Sequence, residues 1–75
     1  MDVPENLIEL QRASNEARAK LEAATSEEER REQREAWRMC AEAVQAAITQ
    51  HAVEQSLNRY ELGQAVKDAA RQPEA

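Results

Sequence analysis

The sequence predicts an all-α protein, and three observations support this prediction. Among its 75 residues the only glycine is Gly63 and the only prolines are Pro4 and Pro73, so little interrupts a helix between the prolines. The chain is rich in Ala, Glu, Arg, Gln and Leu, which have the highest helix propensities. Apolar residues recur at intervals of three, four and seven, as on one face of a helix. We expect a single helical domain over residues 1–75.

The first helix is predicted over residues 3–24. Asp2 is expected to cap its free N–H groups, with Pro4 in the first turn, where a missing donor costs nothing. Ser14 fills a gap in a narrow apolar seam with a/d spacing: Leu7, Leu10, Ala17, Leu21 and Ala24. Ile8 falls outside this seam and is expected to meet another element.

The second helix is predicted over residues 27–55. Ser26 and Glu29 form a capping box, in which the hydroxyl accepts from the Glu29 N–H and the carboxylate reaches back to the Ser26 N–H. The alternative is one uninterrupted helix through Thr25 and Ser26. The first turns contain only polar residues, and they are expected to form a solvated face with pairs at helical spacing: Glu27 with Arg31 and Glu35 with Arg38.

From residue 36 to residue 53 the second helix becomes apolar over most of its circumference. A helix of this kind must be buried on most sides. Helix 1 can cover only one of those sides, because it has a single apolar seam. We expect helices 1 and 2 to form an antiparallel hairpin whose core is completed by oligomerisation, most simply by a second copy. The predicted interface comprises Trp37, Met39, Ala43, Val44, Ala46, Ala47 and Gly63.

The third, shorter helix is predicted over residues 59–71, followed by a frayed tail, 72–75. Asn58 is the expected N-cap, with Glu61 at N3 and a hydrophobic staple between Leu57 and Leu62. This helix is expected to fold over the end of helix 2. Its packing residues would be Leu62, Val66 and Ala69. Gly63 costs about 1 kcal/mol relative to Ala, which predicts close packing against another helix.

Composition argues against several classes of function. With one cysteine, Cys40, and one histidine, His51, the chain has neither an internal disulfide nor a Cys/His zinc set. The two are eleven residues apart on one helix, about 16 Å, which is too far for a catalytic dyad. No cofactor motif, signal peptide or membrane span is evident. We therefore expect a non-enzymatic protein without metal or cofactor, located in the cytoplasm, where an unpaired thiol is stable.

The predicted function is a protein–protein interaction or regulatory module acting as a homo-oligomer or as a subunit of a complex. The alternative is a helix-turn-helix-like DNA-binding regulator built from residues 52–71. Its DNA-contacting residues would be Arg59, Gln64, Lys67 and Arg71. A net charge of −5, from 10 basic and 15 acidic residues, disfavours this alternative because phosphate backbones attract basic surfaces.

Overall fold

The chain folds into three α-helices in the computed structural model, which describes residues 2–72. They are α1 (Glu5–Ala23), α2 (Glu27–Gln55) and α3 (Arg59–Arg71), and residues 2–72 contain no strand. The all-helical prediction is confirmed, and the predicted bounds of the second and third helices coincide with those of α2 and α3. Over the same residues, no helix combines the length and the apolar character that crossing a membrane requires.

The start of α1 differs from the prediction. Asp2 does not cap the helix, because α1 begins only at Glu5 and the N-cap position is taken by Pro4, which has no side-chain hydrogen bond to offer. The backbone supplies the missing acceptor: the Pro4 carbonyl accepts from Leu7 N at 3.1 Å and from Ile8 N at 3.3 Å. Pro4 is thus outside the first turn rather than within it.

A break at residues 24–26 separates α1 from α2, so the alternative of one continuous helix is wrong. Ser26 is extended, and its hydroxyl accepts from Glu29 N at 3.1 Å, as the capping box predicts. The Glu29 carboxylate accepts from the Thr25 N–H at 3.0 Å and from the Thr25 hydroxyl at 3.3 Å, one residue earlier than expected. The backbone hydrogen bond from Thr25 holds the pKa of Glu29 below its usual 4.5.

The turn from α2 to α3 is closed by both backbone and side chain. Ser56 adopts the left-handed conformation that often ends helices, and Leu57 N donates to the Ala52 carbonyl at 2.8 Å. Asn58 then caps α3 as predicted, its side-chain oxygen accepting from Glu61 N at 3.0 Å. Leu57 packs against the apolar cluster that contains the fully buried Leu62, as a hydrophobic staple requires.

The apolar core is small and unites all three helices. Its buried members come from α1, from the second half of α2 and from α3: Leu7, Val44, Ile48, Ala52, Leu62 and Val66. In the predicted α1 seam Ser14 and Ala17 are buried, whereas Leu10 and Leu21 are only partly so. On α3 the third buried residue is Ala70 rather than Ala69, because residues 62, 66 and 70 follow each other at four-residue steps.

Polar contacts outside the core connect residues close in sequence as well as the two ends of the chain. Arg38 pairs with Glu35 at 2.6 Å and with Glu42 at 3.3 Å, and its hydrogen bond to Glu35 lowers the pKa of that carboxyl. Glu27 pairs with Arg30, and not with Arg31 as expected. The Arg12 guanidinium donates to the Gln72 carbonyl at 3.0 Å, so Gln72 is held against α1. Residues 73–75 of the predicted frayed tail lie outside the described residues.

Gly63 does not make the close helix contact that was predicted for it within this chain. A Cβ atom built on Gly63 would meet no atom within 4 Å, and its φ is not positive. Neither neighbouring backbone nor an unusual conformation therefore requires a glycine here.

Replacing Asn58 with alanine should lower the free energy of unfolding by about 1 kcal/mol, because the Glu61 N–H loses its acceptor. Asn6→Ala is the matched control, since Asn6 is exposed and α1 has no side-chain cap. Chemical denaturation followed by circular dichroism measures both changes. Equal midpoints for the two variants would contradict the assigned cap.

Replacing Gly63 with alanine should raise the free energy of unfolding by about 0.5–1 kcal/mol, because alanine favours the helix and its Cβ enters open space. The same denaturation measurement should be made at low protein concentration. A Gly63→Ala variant that is destabilised even at low concentration would contradict the open space found beside Gly63.

Candidate interaction surface

The residues predicted to form the interface are divided by the fold among separate surfaces. Val44 is only 2% exposed and belongs to the core, and Ala47 is half-buried against that core. Both lie on the side of α2 that faces α1 and α3. Val44 is therefore not accessible to a partner of the chain as folded, although it was assigned to the interface, and Ala47 is accessible only in part.

A continuous exposed stripe remains on the opposite side of α2. Its members recur at steps of three and four residues, and we call this set the α2 stripe: Ala36, Met39, Ala43, Ala46, Gln50 and Val53. All six are exposed, and Met39 and Val53 reach 61% and 75%. The stripe is about 26 Å long at 1.5 Å per residue. Of the predicted interface residues, Met39, Ala43 and Ala46 belong to it.

Trp37 lies on a different side of α2 from the stripe. It is half-buried, and the Arg18 guanidinium of α1 stacks over its ring at 5.0 Å from the centroid. A cation at this distance from an indole face forms a cation–π interaction. The indole therefore connects α1 to α2 within the chain instead of extending the α2 stripe.

Gly63 is also separate from the α2 stripe. It lines a shallow groove between α3 and α2, where its neighbours across the groove are Gln45 and Ile48. No stripe residue lines this groove. The predicted interface set is thus split among the core, the α2 stripe, the Arg18 contact and this groove.

The alternative DNA-contacting residues are partly engaged within the protein. Arg59 donates to Thr49 Oγ1 at 2.6 Å and to Gln45 Oε1 at 2.7 Å, which directs its guanidinium onto α2. Arg71 pairs with Asp68 at 3.5 Å. Gln64 and Lys67 are exposed. An arginine committed to α2 contributes less to a basic surface that would attract a phosphate backbone.

Neither Cys40 nor His51 is a member of the α2 stripe. Cys40 is a half-buried free thiol. His51 is half-buried and lines a groove with Asp2 and Pro4 at the start of the chain. Over residues 2–72, no group of three or more His, Cys, Asp or Glu side chains is arranged to hold a metal ion.

One buried polar residue was not anticipated from the sequence. Gln11 is only 8% exposed, and it lies beside the buried Ser14 on the face of α1 that meets α2. Gln11 lies four residues after the buried Leu7 and therefore on the same face of α1. This spacing is the feature of the sequence that indicates its burial. The a/d pattern did not predict the burial of Gln11, because it placed Leu10 and Ser14 on the buried face instead. Gln11 and Ser14 line a cavity beside Trp37.

Geometry alone defines these surfaces, since no protein-family model matches the chain and no curated protein or solved structure shows a significant match to it.

Proposed function

We propose that this chain is a non-enzymatic protein–protein interaction module that forms a homodimer through the α2 stripe. In this proposal α1 and α2 form an antiparallel hairpin, covered at one end by α3. The contact of Arg18 with Trp37 and the clustering of Leu7 with Ile48 support the hairpin. The single observation that carries the proposal is the stripe itself, a row of mostly apolar side chains over residues 36–53 of α2 that residues 2–72 leave exposed.

The spacing of the α2 stripe suits a second copy of the same helix. Steps of three and four residues place Ala36, Ala43 and Gln50 at a positions and Met39, Ala46 and Val53 at d positions of a coiled-coil seam. The alanines allow the axes to approach to about 8 Å, the close end of the range for packed helices. A second α2 stripe therefore fits the first along its length.

Gln50 favours a parallel, in-register pair. In that arrangement the two Gln50 side chains meet and can hydrogen-bond to each other, as polar residues at a positions do when they specify register. In an antiparallel pair centred between Ala43 and Ala46, Gln50 would be buried against Met39 without a partner. Burial of an unpaired amide is costly, so the parallel arrangement is the more stable one.

The charges beside the α2 stripe are mainly acidic, with Glu54 on one edge and a cluster around Arg38 on the other. Glu35 and Glu42 flank the stripe on one edge, and Arg38 is paired with both. The arginine offsets one of the two carboxylates, so this edge keeps one negative charge in each copy, and dimer formation is expected to strengthen as salt screens it.

The Ala43→Glu variant should dissociate the dimer, because it places a carboxylate in the middle of the seam, where the pair would bury it. We expect the dissociation constant to rise at least about a hundredfold. Sedimentation equilibrium over a range of concentrations measures it. Ala19→Glu is the matched control on exposed α1 and should leave the constant unchanged. If wild type is monomeric at all concentrations, or if both variants behave alike, the α2 stripe is not the interface.

A cysteine at position 53 tests the orientation of the pair. In a Cys40→Ala background, Val53→Cys should form an intermolecular disulfide under mild oxidation, because d positions of parallel helices are adjacent. In the antiparallel arrangement the two sulfurs would be about 26 Å apart. Ala19→Cys in the same background is the control. Dimers that do not cross-link at residue 53 would show that the pair is antiparallel.

The alternative function is that of a DNA-binding regulator built on residues 52–71. Titration of the protein with nonspecific duplex DNA at low salt distinguishes the two functions. If the protein is a monomer that binds DNA with micromolar affinity, the DNA-binding function is correct and the interaction module is wrong. The free thiol of Cys40 supports a location in the reducing cytoplasm, which is part of the proposal.

A further inference from the structure

The two edges of the α2 stripe carry different residues. In its coiled-coil register the g positions form one edge and the e positions the other: Glu35, Glu42 and Thr49 at g, and Cys40, Ala47 and Glu54 at e. In a parallel, in-register pair each g residue faces the e residue that lies five positions later on the partner helix. Thr49 would therefore face the partner's Glu54, while the two g glutamates would face uncharged side chains.

A cation from α3 lies on the Thr49 side chain. Arg59 is the first residue of α3, and its guanidinium donates to Thr49 Oγ1 at 2.6 Å and to Gln45 Oε1 at 2.7 Å. These two hydrogen bonds hold the guanidinium against α2 beside position 49. A guanidinium has five N–H donors, so donors remain for a further acceptor. Arg59 thus supplies the positive charge that position 49 itself lacks.

Arg59 and Glu54 have no ionic partner in their own chain. Both side chains are exposed, and within residues 2–72 neither forms an ion pair. Thr49 and Glu54 are five residues apart, or about 140° around α2, so Glu54 lies on the opposite edge of the helix from the Arg59 guanidinium. A symmetric second copy brings these opposite charges together twice.

We propose that Arg59 and the partner's Glu54 form an ion pair that selects a second copy in the parallel, in-register arrangement. This inference rests on the proposed dimer of the α2 stripe. Ion pairs between e and g positions set partner choice and orientation in coiled coils. In the antiparallel pair Arg59 would instead lie beside the partner's Glu42, and Glu42 is already paired with Arg38.

Reversal of the charges tests this ion pair. Arg59→Glu and Glu54→Arg should each raise the dissociation constant of the dimer about tenfold, because like charges then meet at both symmetric sites. The combined variant restores opposite charges, and its constant should return to within about threefold of the wild-type value. Glu54 is exposed and has no ion pair in its own chain, so its reversal acts on the dimer without disturbing the fold.

Sedimentation equilibrium measures these constants at a single salt concentration, because salt screens the ion pair as well as the repulsion between acidic edges. Arg59→Glu combined with Glu16→Arg is the control, since it has the same net charge but places the new arginine on α1. This control should dimerise as weakly as Arg59→Glu alone.

The outcomes separate this ion pair from the dimer itself. If wild type dimerises but the single reversals leave its constant unchanged, or if the two combined variants behave alike, the ion pair is wrong and the dimer stands. Restoration of Arg59→Glu by Glu42→Arg instead of Glu54→Arg would indicate the antiparallel pair and overturn the inference. A wild type that is monomeric at all concentrations would overturn both proposals.

Unfolding of the monomer shows whether the two charges interact within one chain. In the Ala43→Glu background the effects of Arg59→Glu and Glu54→Arg on the free energy of unfolding should add, because the side chains lie on opposite edges of α2. Chemical denaturation measures these effects. A combined variant that is more stable than the sum predicts would indicate an ion pair inside the chain, and the inference would be wrong.

Discussion

The meeting of Leu7, Ile48 and Leu62 in one apolar cluster is the contact on which the rest of the structure depends. Each of these residues is at most 2% exposed, and each comes from a different helix. Isolated helices as short as α3 are marginal in water, so packing onto this cluster is what stabilises it. The caps at Ser26 and Asn58 then determine where the packed helices begin.

The small size of this core explains why one side of α2 remains exposed. Alanine is frequent, and it contributes little apolar area when buried. Since few large side chains are available, those of α1 and α3 cover only one side of α2. The opposite side is left exposed as the α2 stripe, and the space beside Trp37 remains a cavity. A chain with more large apolar residues would fill that cavity.

Local signals in the sequence were reliable wherever the interaction involved residues close along the chain. The cap at Asn58, the break before Ser26 and the bounds of α2 depend on contacts within a few residues, and they were predicted correctly. Asp2 was an exception. Aspartate is a residue type that caps helices, but the N-cap of α1 is Pro4, two residues after Asp2. The Asp2 side chain therefore does not cap α1. A small difference in the starting residue thus removes a side-chain cap.

The sequence by itself determined the helices, their order and the apolar character of both sides of α2, because these follow from propensity, capping and a 3.6-residue period. It did not determine which apolar side faces inward, since both are compatible with one helical pattern. Only the packing of α1 and α3 decided that Val44 is buried and Met39 exposed. The tertiary structure also decided the burial of Gln11 and the open space at Gly63, because both depend on residues distant in sequence.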